Sequence, residues 1–169
     1  GEKSAALVLS DRILQSRADE YPMVRHVLVP RSWFITSESI LRFIQYNGFD
    51  EFIEQKYKNS SEIEAEYPYV LRAFASAQLP SEITGALSVA LDDLGNTPLI
   101  VRSSSLLEGG LGASFSGKYD SVFLTNTGTK TERLRALKGA VARVYASTLN
   151  PEALAYRADH GFIDLVEEM

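Results

Sequence analysis

The chain has 169 residues, of which 45% are hydrophobic and 23% are charged, the balance of an ordinary globular domain that can bury a core. Its formal net charge of -5 argues against a general nucleic-acid binder, because such proteins present a basic face to the phosphates. The absence of cysteine excludes disulfides, thiolate metal sites and cysteine nucleophiles. The two histidines, His26 and His160, are too far apart in sequence to suggest a metal site.

The first part of the chain combines a helix with two short apolar runs. A helix is predicted over residues 4–18, with Ser4 as its cap. Its apolar residues fall mostly on one side: Leu7, Leu9, Ile13 and Leu14. The run at residues 26–29 is a strand candidate, and the run at residues 33–35, after Pro30, is either a second strand or only an extended segment. We expect the two aromatic residues of the second run to enter the core.

The middle of the chain is predicted to be helical. A cap within residues 36–39 starts a helix that ends at Asn47 and Gly48, because both residue types tolerate a left-handed backbone. Ser81 is a candidate cap for a later helix. Three further helical segments are predicted over residues 50–57, 59–78 and 82–94.

Two strands and two helices are predicted in the last part of the chain. The strands cover residues 98–101 and 119–124, and the helices cover residues 131–145 and 151–159. Many helices with few strands indicate an α/β or α+β class, helix-rich with a small mixed sheet. No hydrophobic element closes the end of the sequence. We therefore expect residues 1–169 to be a single domain that belongs to a longer chain.

The stretch from Arg102 to Gly117 carries the strongest functional signal. An arginine leaves the end of a buried strand and enters a loop of small residues, many of them glycine. Small residues let backbone N–H groups approach an anion, and an arginine fork can donate two parallel hydrogen bonds to a phosphate. Together these features predict a polyphosphate site.

Three other interpretations of this loop compete. Gly112, Gly117 and Lys118 match the spacing of a Walker A loop, but Tyr119 stands where magnesium coordination needs Ser or Thr. A dinucleotide fingerprint requires a third glycine, and Phe115 occupies that position. The third interpretation is a glycine-rich surface loop without a ligand, which the residues alone leave open.

The stretch resembles a known family pattern. It reads V-R-S-S-S-L-L-E-G-G-L-G-A-S-F-S-G and is similar to V-R-S-S-A-x-x-E-D-x-x-x-A-S-F-A-G. That pattern belongs to the ATP-binding domain of phosphoenolpyruvate synthases, pyruvate phosphate dikinases, glucan water dikinases and rifampin phosphotransferases. The spacing is reproduced without insertion. Gly109 stands where the family usually has Asp, and Ser116 where it usually has Ala.

The resemblance extends to both sides of the loop. The opening G-E-K-S-A-A-L is similar to the family's G-G-K-x-A-x-L, in which the lysine binds nucleotide phosphate; Lys3 holds that position and Glu2 replaces a glycine. Residues 29–36 resemble the family's V-P-P-G-F-V-I-T. Residues 144–147 and 153–157 resemble its W-A-S-L and A-x-x-Y-R segments. The closest likeness is to bacterial proteins with a phosphoenolpyruvate/pyruvate-binding domain.

The resemblance implies that residues 1–169 are the N-terminal part, or first lobe, of an ATP-grasp-like nucleotide-binding domain. Such a lobe holds ATP phosphates for phosphoryl transfer. Arg102 and Lys3 would be the catalytic cations on the phosphates, and residues 113–117 would cover the β- and γ-phosphates through backbone N–H groups. The implied ATP-binding residues are Lys3, Arg102, Ser103, Ser104, Glu108, Ala113, Ser114, Phe115, Ser116 and Gly117.

The resemblance also implies parts that this chain does not contain. The family's magnesium-binding acids come after the position of residue 161, so Mg²⁺ is expected only with a further C-terminal part. This chain alone is then expected to bind ATP weakly and to be inactive. The expected partners are ATP and other domains of the same longer chain, with the phosphoryl acceptor left open.

Two further expectations concern location and an alternative function. No apolar run reaches bilayer length and no secretory signal opens the sequence, so we expect a cytoplasmic protein with no membrane or nucleic-acid partner. The alternative function is a non-catalytic interaction domain with a decayed nucleotide site. The departures at Glu2 and Gly109 suggest it.

Overall fold

The computed structural model describes residues 2–105 and 117–164. Seven α-helices and two strands make up the described chain, together with 3₁₀ turns at Pro22–His26 and Glu54–Tyr57. The helices are α1 Glu2–Arg17, α2 Glu38–Asn47, α3 Asp50–Ile53, α4 Ser60–Ser76, α5 Ser81–Leu94, α6 Lys130–Ser147 and α7 Pro151–Asp159. The strands are β1 Leu99–Arg102 and β2 Ser121–Leu124.

Local hydrogen bonds explain where several helices begin and end. Capping boxes start α4 at Asn59 and α6 at Thr129, where the cap side chain accepts from a backbone N–H three residues on. Asn150 caps α7 in a similar way. Gly48 ends α2 with a φ of 66°, in the left-handed region that favours glycine. Ser81 is the first residue of α5 rather than its cap, which is Pro80.

The two strands form a small antiparallel sheet. Leu99 pairs with Leu124 at one end, and Arg102 pairs with Ser121 at the other. Side chains alternate between the faces of the sheet, so Leu99, Val101, Val122 and Leu124 are half-buried on one face. The opposite face is exposed and carries Ile100, Arg102, Ser121 and Phe123. The helix-rich fold with a small sheet is therefore confirmed.

The core lies between α2, α4, α5 and α6, against the inner face of the sheet. Phe43 is fully buried, with its ring centroid 5.3 Å from that of Phe74 and 5.4 Å from that of Tyr145. Leu91 and Val141 fill the same cluster from α5 and α6. Tilted aromatic pairs at this separation add attraction beyond the apolar area that they bury.

The strand predicted at residues 26–29 is wrong, and of the two alternatives for residues 33–35 the structure excludes the strand. The structure describes all of residues 22–36 and shows a 3₁₀ turn followed by irregular chain there. Trp33 and Phe34 are each 48% exposed, so the expectation that they enter the core is also wrong. The Trp33 indole N–H instead donates to Asp93 Oδ2 at 2.9 Å. Pro30 lacks a donor for a strand ladder, and local polar bonds hold the segment without a partner strand.

The apolar side predicted for α1 is only partly present. Leu7 and Leu14 are half-buried, but Leu9 and Ile13 point to solvent. The side of α1 that is turned inward also carries Ser4 and Asp11, so α1 is not strongly amphipathic. Within the described residues, no helix is long and apolar enough to cross a lipid bilayer.

Candidate functional site

Arg102 is the last residue of β1, on the exposed face of the sheet. Strand alternation places its side chain on the face opposite Val101, which packs toward the core. The Arg102 guanidinium makes no ion pair with any residue in the described ranges. The backbone of Arg102 is therefore held by the hydrogen bonds of the sheet, while its side chain is exposed to solvent.

Three serines follow Arg102 where the chain leaves β1. Ser103 is 4% exposed and Ser105 is fully buried, while Ser104 is half-buried. Because serine side chains are small, the backbone here can pack closely against neighbouring elements. The strand exit is therefore packed into the fold, although it leads into a glycine-rich stretch.

The start of α1 lies directly against this exit. The Ser4 backbone N–H donates to Ser104 Oγ at 3.1 Å, and Ser4 Oγ donates to the same oxygen at 2.9 Å. The first N–H groups of a helix have no partner within the helix, so Ser104 caps α1 from 100 positions away. With both bonds accepted, the Ser104 hydroxyl hydrogen remains able to donate to a further acceptor.

This contact brings Lys3 into the neighbourhood of Arg102. Lys3 is bonded to Ser4 in the first turn of α1 and is half-buried. Ser104 lies two residues after Arg102. The start of this 16-residue helix, which carries Lys3, and the end of β1, which carries Arg102, are therefore near one another in the fold although they are far apart in sequence.

The far end of the loop returns to the same end of the sheet. Because Arg102 pairs with Ser121, the stretch between them begins and ends at adjacent strand positions. The Asp120 backbone N–H donates to the buried Ser147 Oγ at 3.0 Å, and its carboxylate accepts from Arg143 Nε at 2.8 Å. Asn150 Nδ2 donates to the Lys118 carbonyl at 2.6 Å. The junction between α6 and α7 thus holds the segment that leads from the loop into β2.

The structure also bears on the Walker A alternative. After Gly117, whose φ is 81°, the chain continues through a short turn into β2. A Walker A lysine is followed by a helix whose N-terminus faces the phosphates, and no helix begins at Lys118. The Lys118 ammonium pairs instead with Glu152 and lies 5.5 Å from the Tyr156 ring centroid. This interpretation of the loop is therefore excluded.

The predicted site extends beyond the residues that the structure describes. Glu108, Ala113, Ser114, Phe115 and Ser116 lie outside the described residues. Gly117 is exposed at the end of the loop, and Ser103 and Ser104 follow β1 as expected. The roles given to all of these residues stay predictions.

No metal site is found in the described part of the chain. It contains no group of three or more histidine, aspartate or glutamate side chains close enough to share an ion. None of the described residues is assigned to a metal ion.

Sequence reasoning missed the link between Ser4 and Ser104. Ser4 was expected to cap α1 with its own side chain, yet it lies inside the helix and is itself capped. A pair separated by 100 positions has no local signature. The only available signal was the order of the two family-like motifs that contain them.

The comparison with protein families decides the affiliation. Residues 1–169 match the pyruvate phosphate dikinase AMP/ATP-binding domain over the whole chain. The chain belongs to this family. The resemblance inferred from the loop and from the opening lysine motif is thereby confirmed, and the domain is of an AMP/ATP-binding type.

Curated relatives of this dikinase-type domain are phosphoenolpyruvate synthases. The protein from Neisseria meningitidis is 31% identical over 147 residues, which cover 80% of this chain and 18% of that protein. Those from Pseudomonas aeruginosa and Deinococcus radiodurans are 29% and 28% identical, again over 80% of this chain. The chain thus spans less than a fifth of the length of each relative, with 17% for the Deinococcus protein.

Proposed function

We propose that this domain is an ATP-grasp-like lobe that holds the phosphates of ATP in a phosphotransferase similar to phosphoenolpyruvate synthase. The family match supports an ATP site, and the two hydrogen bonds between Ser4 and Ser104 carry the finer proposal. They draw the first turn of α1, and with it Lys3, toward the strand end that carries Arg102.

The chemistry of this arrangement suits a polyphosphate. A guanidinium can donate two parallel hydrogen bonds to one phosphate, while a lysine ammonium adds a compact charge. The N-terminus of α1 contributes a partial positive charge. Phosphoryl transfer depends mainly on positioning and on neutralising oxygen charge, so these groups would steady the phosphates rather than make or break bonds.

Other parts of the reaction are assigned outside this chain. A Mg²⁺ site, which would neutralise phosphate oxygens when filled, is expected on a further C-terminal part of the longer protein, as the family resemblance implies. The phosphoryl acceptor would bind to other domains of the same longer protein. A cytoplasmic location, where ATP is abundant, belongs to the same proposal.

Arg102→Ala in the full-length protein tests the proposal. Calorimetric titration with ATP should show affinity reduced by about 10- to 100-fold, the loss expected when a charged hydrogen-bonding group is removed from a phosphate. Arg135→Ala, which removes an exposed arginine from α6, is the matched control and should leave affinity unchanged.

Unchanged ATP affinity in Arg102→Ala would contradict the proposal. It would favour the alternative of a non-catalytic interaction domain with a decayed nucleotide site, to which the substitutions at Glu2 and Gly109 would then belong.

A further inference from the structure

A buried asparagine follows β2 and bonds to the chain that enters β1. Asn126 is 6% exposed and has a φ of 55°, in the left-handed region that asparagine adopts more readily than most other residues with a side chain. Its Nδ2 donates to the carbonyl oxygens of Gly95 and Thr97, each at 2.8 Å. This one amide group therefore ties the end of β2 to the connection between α5 and β1.

The two hydrogen bonds continue the strand pairing at a point where the backbone cannot. Leu99 pairs with Leu124, and the same register continued by two positions places Thr97 opposite Asn126. Pro98 lies between Thr97 and Leu99 and has no N–H to donate to the ladder. The side chain of Asn126 supplies a cross-strand donor here instead.

The strand register decides which face of the sheet carries Arg102. Successive side chains point to opposite faces, so a slip of β1 by one position would turn Arg102 from the exposed face to the inner face. The sheet has two strands of four residues each, and a ladder of this size is only marginally stable by itself. Packing of Val101 on the core opposes a slip, and Asn126 adds a polar contact that fixes the same alignment.

We infer that Asn126 is a positioning residue for Arg102, because it fixes β1 against β2 and thereby sets where the guanidinium meets the phosphates of ATP. The inference rests on the proposed function, since it needs phosphates at Arg102. Leu99 and Arg102 alone are about 10 Å apart along β1, and Asn126 lies beyond the Leu99 end. Asn126 therefore acts through the strands and not by contact with ATP.

The test measures ATP affinity by calorimetric titration of the full-length protein. Asn126→Asp keeps the size of the side chain and its tolerance of the left-handed backbone, but it replaces the donor by a carboxylate that faces two carbonyl oxygens. ATP affinity should fall by about 3- to 10-fold, less than in Arg102→Ala, because the guanidinium is displaced and not removed. Asn126→Gly keeps the positive φ without the amide and should also weaken binding.

A double variant distinguishes positioning from general damage to the fold. If Asn126 acts through Arg102, adding Asn126→Asp to Arg102→Ala should cause no further loss of ATP affinity. Asn47→Asp is the matched control, because Asn47 Nδ2 also donates to two backbone carbonyls, those of Phe43 and Gln78, at the end of α2. It should lower the Tm of the protein as Asn126→Asp does and leave ATP affinity unchanged.

Three results would overturn the inference. The first is unchanged ATP affinity in Asn126→Asp, the second is an undiminished further loss in the double variant, and the third is an equal loss of affinity in Asn47→Asp. If Asn126→Asp does not fold, Asn126→Gly takes its place in each comparison.

The Arg102→Ala variant separates this inference from the proposed function. If it leaves ATP affinity unchanged, the proposed function fails. If it weakens ATP binding while the Asn126 variants bind ATP normally, the phosphate site stands and only the positioning role of Asn126 is wrong.

Discussion

The N-terminal segment, residues 2–37, and the helical body that follows it are held in place by different forces. In the body, α6 alone buries eight residues, and the aromatic cluster around Phe43 is sealed from solvent. In the N-terminal segment, Leu28 is 86% exposed and no residue is fully buried in the part whose burial is described. Polar contacts to the body secure it instead, at Ser104 and at Asp93.

The two proposed phosphate-binding cations are held by these two different kinds of contact. Arg102 belongs to a strand that is packed on the core. Lys3 belongs to a helix that two hydrogen bonds tie to Ser104, and each such bond contributes only about 1 kcal/mol net. Half of the proposed phosphate site is therefore set by the hydrophobic core, and the other half by polar contacts that can be removed one at a time.

The largest expected effect on stability comes from truncating a buried side chain in the core of the helical body. Phe43→Ala should lower the free energy of unfolding by about 3–5 kcal/mol, because it leaves a cavity at a fully buried aromatic contact. Leu28→Ala in the N-terminal segment should change it by less than about 0.5 kcal/mol. Urea denaturation measures both. Equal losses of stability in the two variants would show that the two regions are not held by different forces.

An intermediate effect is expected where the two regions meet at Ser104. Ser104→Ala removes the acceptor of both Ser4 hydrogen bonds and should loosen α1 by about 1–2 kcal/mol, without altering the core. Hydrogen exchange should quicken for α1 amides and stay unchanged for α6. Ser76→Ala, whose hydroxyl bonds only its own helix, is the control. Unaltered exchange in α1 would show that other contacts hold it.

The smallest effect concerns the acid sensitivity of the contact at Asp93. The Trp33 indole hydrogen bond, aided by Arg31, holds the pKa of the Asp93 carboxyl below its ordinary value of 3.8. Because the pKa is lowered in the folded protein, the contact stabilises the segment fully at pH values above 3.8. This stabilisation is lost as the pH falls through the lowered pKa, where the carboxyl group becomes protonated. Trp33 is the chain's single tryptophan, so its fluorescence reports the change.

Asp93→Asn provides the matched control for this titration. It should abolish the acid transition in Trp33 fluorescence, because an amide does not titrate. A transition that persists in this variant would assign it to another group and would remove the argument for Asp93 as the anchor.

The sequence predicted the body better than the N-terminal segment for a physical reason. Caps such as Asn150 and stops such as Gly48 act within a few residues, and the apolar spacing of α6 reflects real burial. Residues 26–35 have the composition of strands but no neighbouring strand to pair with in the described fold, and composition cannot reveal a missing partner. Trp33 faces solvent and bonds to Asp93, 60 positions away.

The candidate site divides in the same way. Arg102 at the end of a strand followed from local pattern and from the family motif. Its pairing with Ser121 depends on strand register. The Ser4–Ser104 contact depends on tertiary packing across 100 positions, so it became visible only in the fold.

The most direct test of the account is the ATP affinity of Lys3→Ala and Arg102→Ala, singly and together, in the full-length protein. If both cations contact the same triphosphate, each substitution should weaken binding by about tenfold or more, and the double variant should depart from the product of the two losses because the sites are coupled. Lys138→Ala serves as the control. Full ATP affinity in Lys3→Ala would contradict the account, since the opening lysine would then have no part in the site.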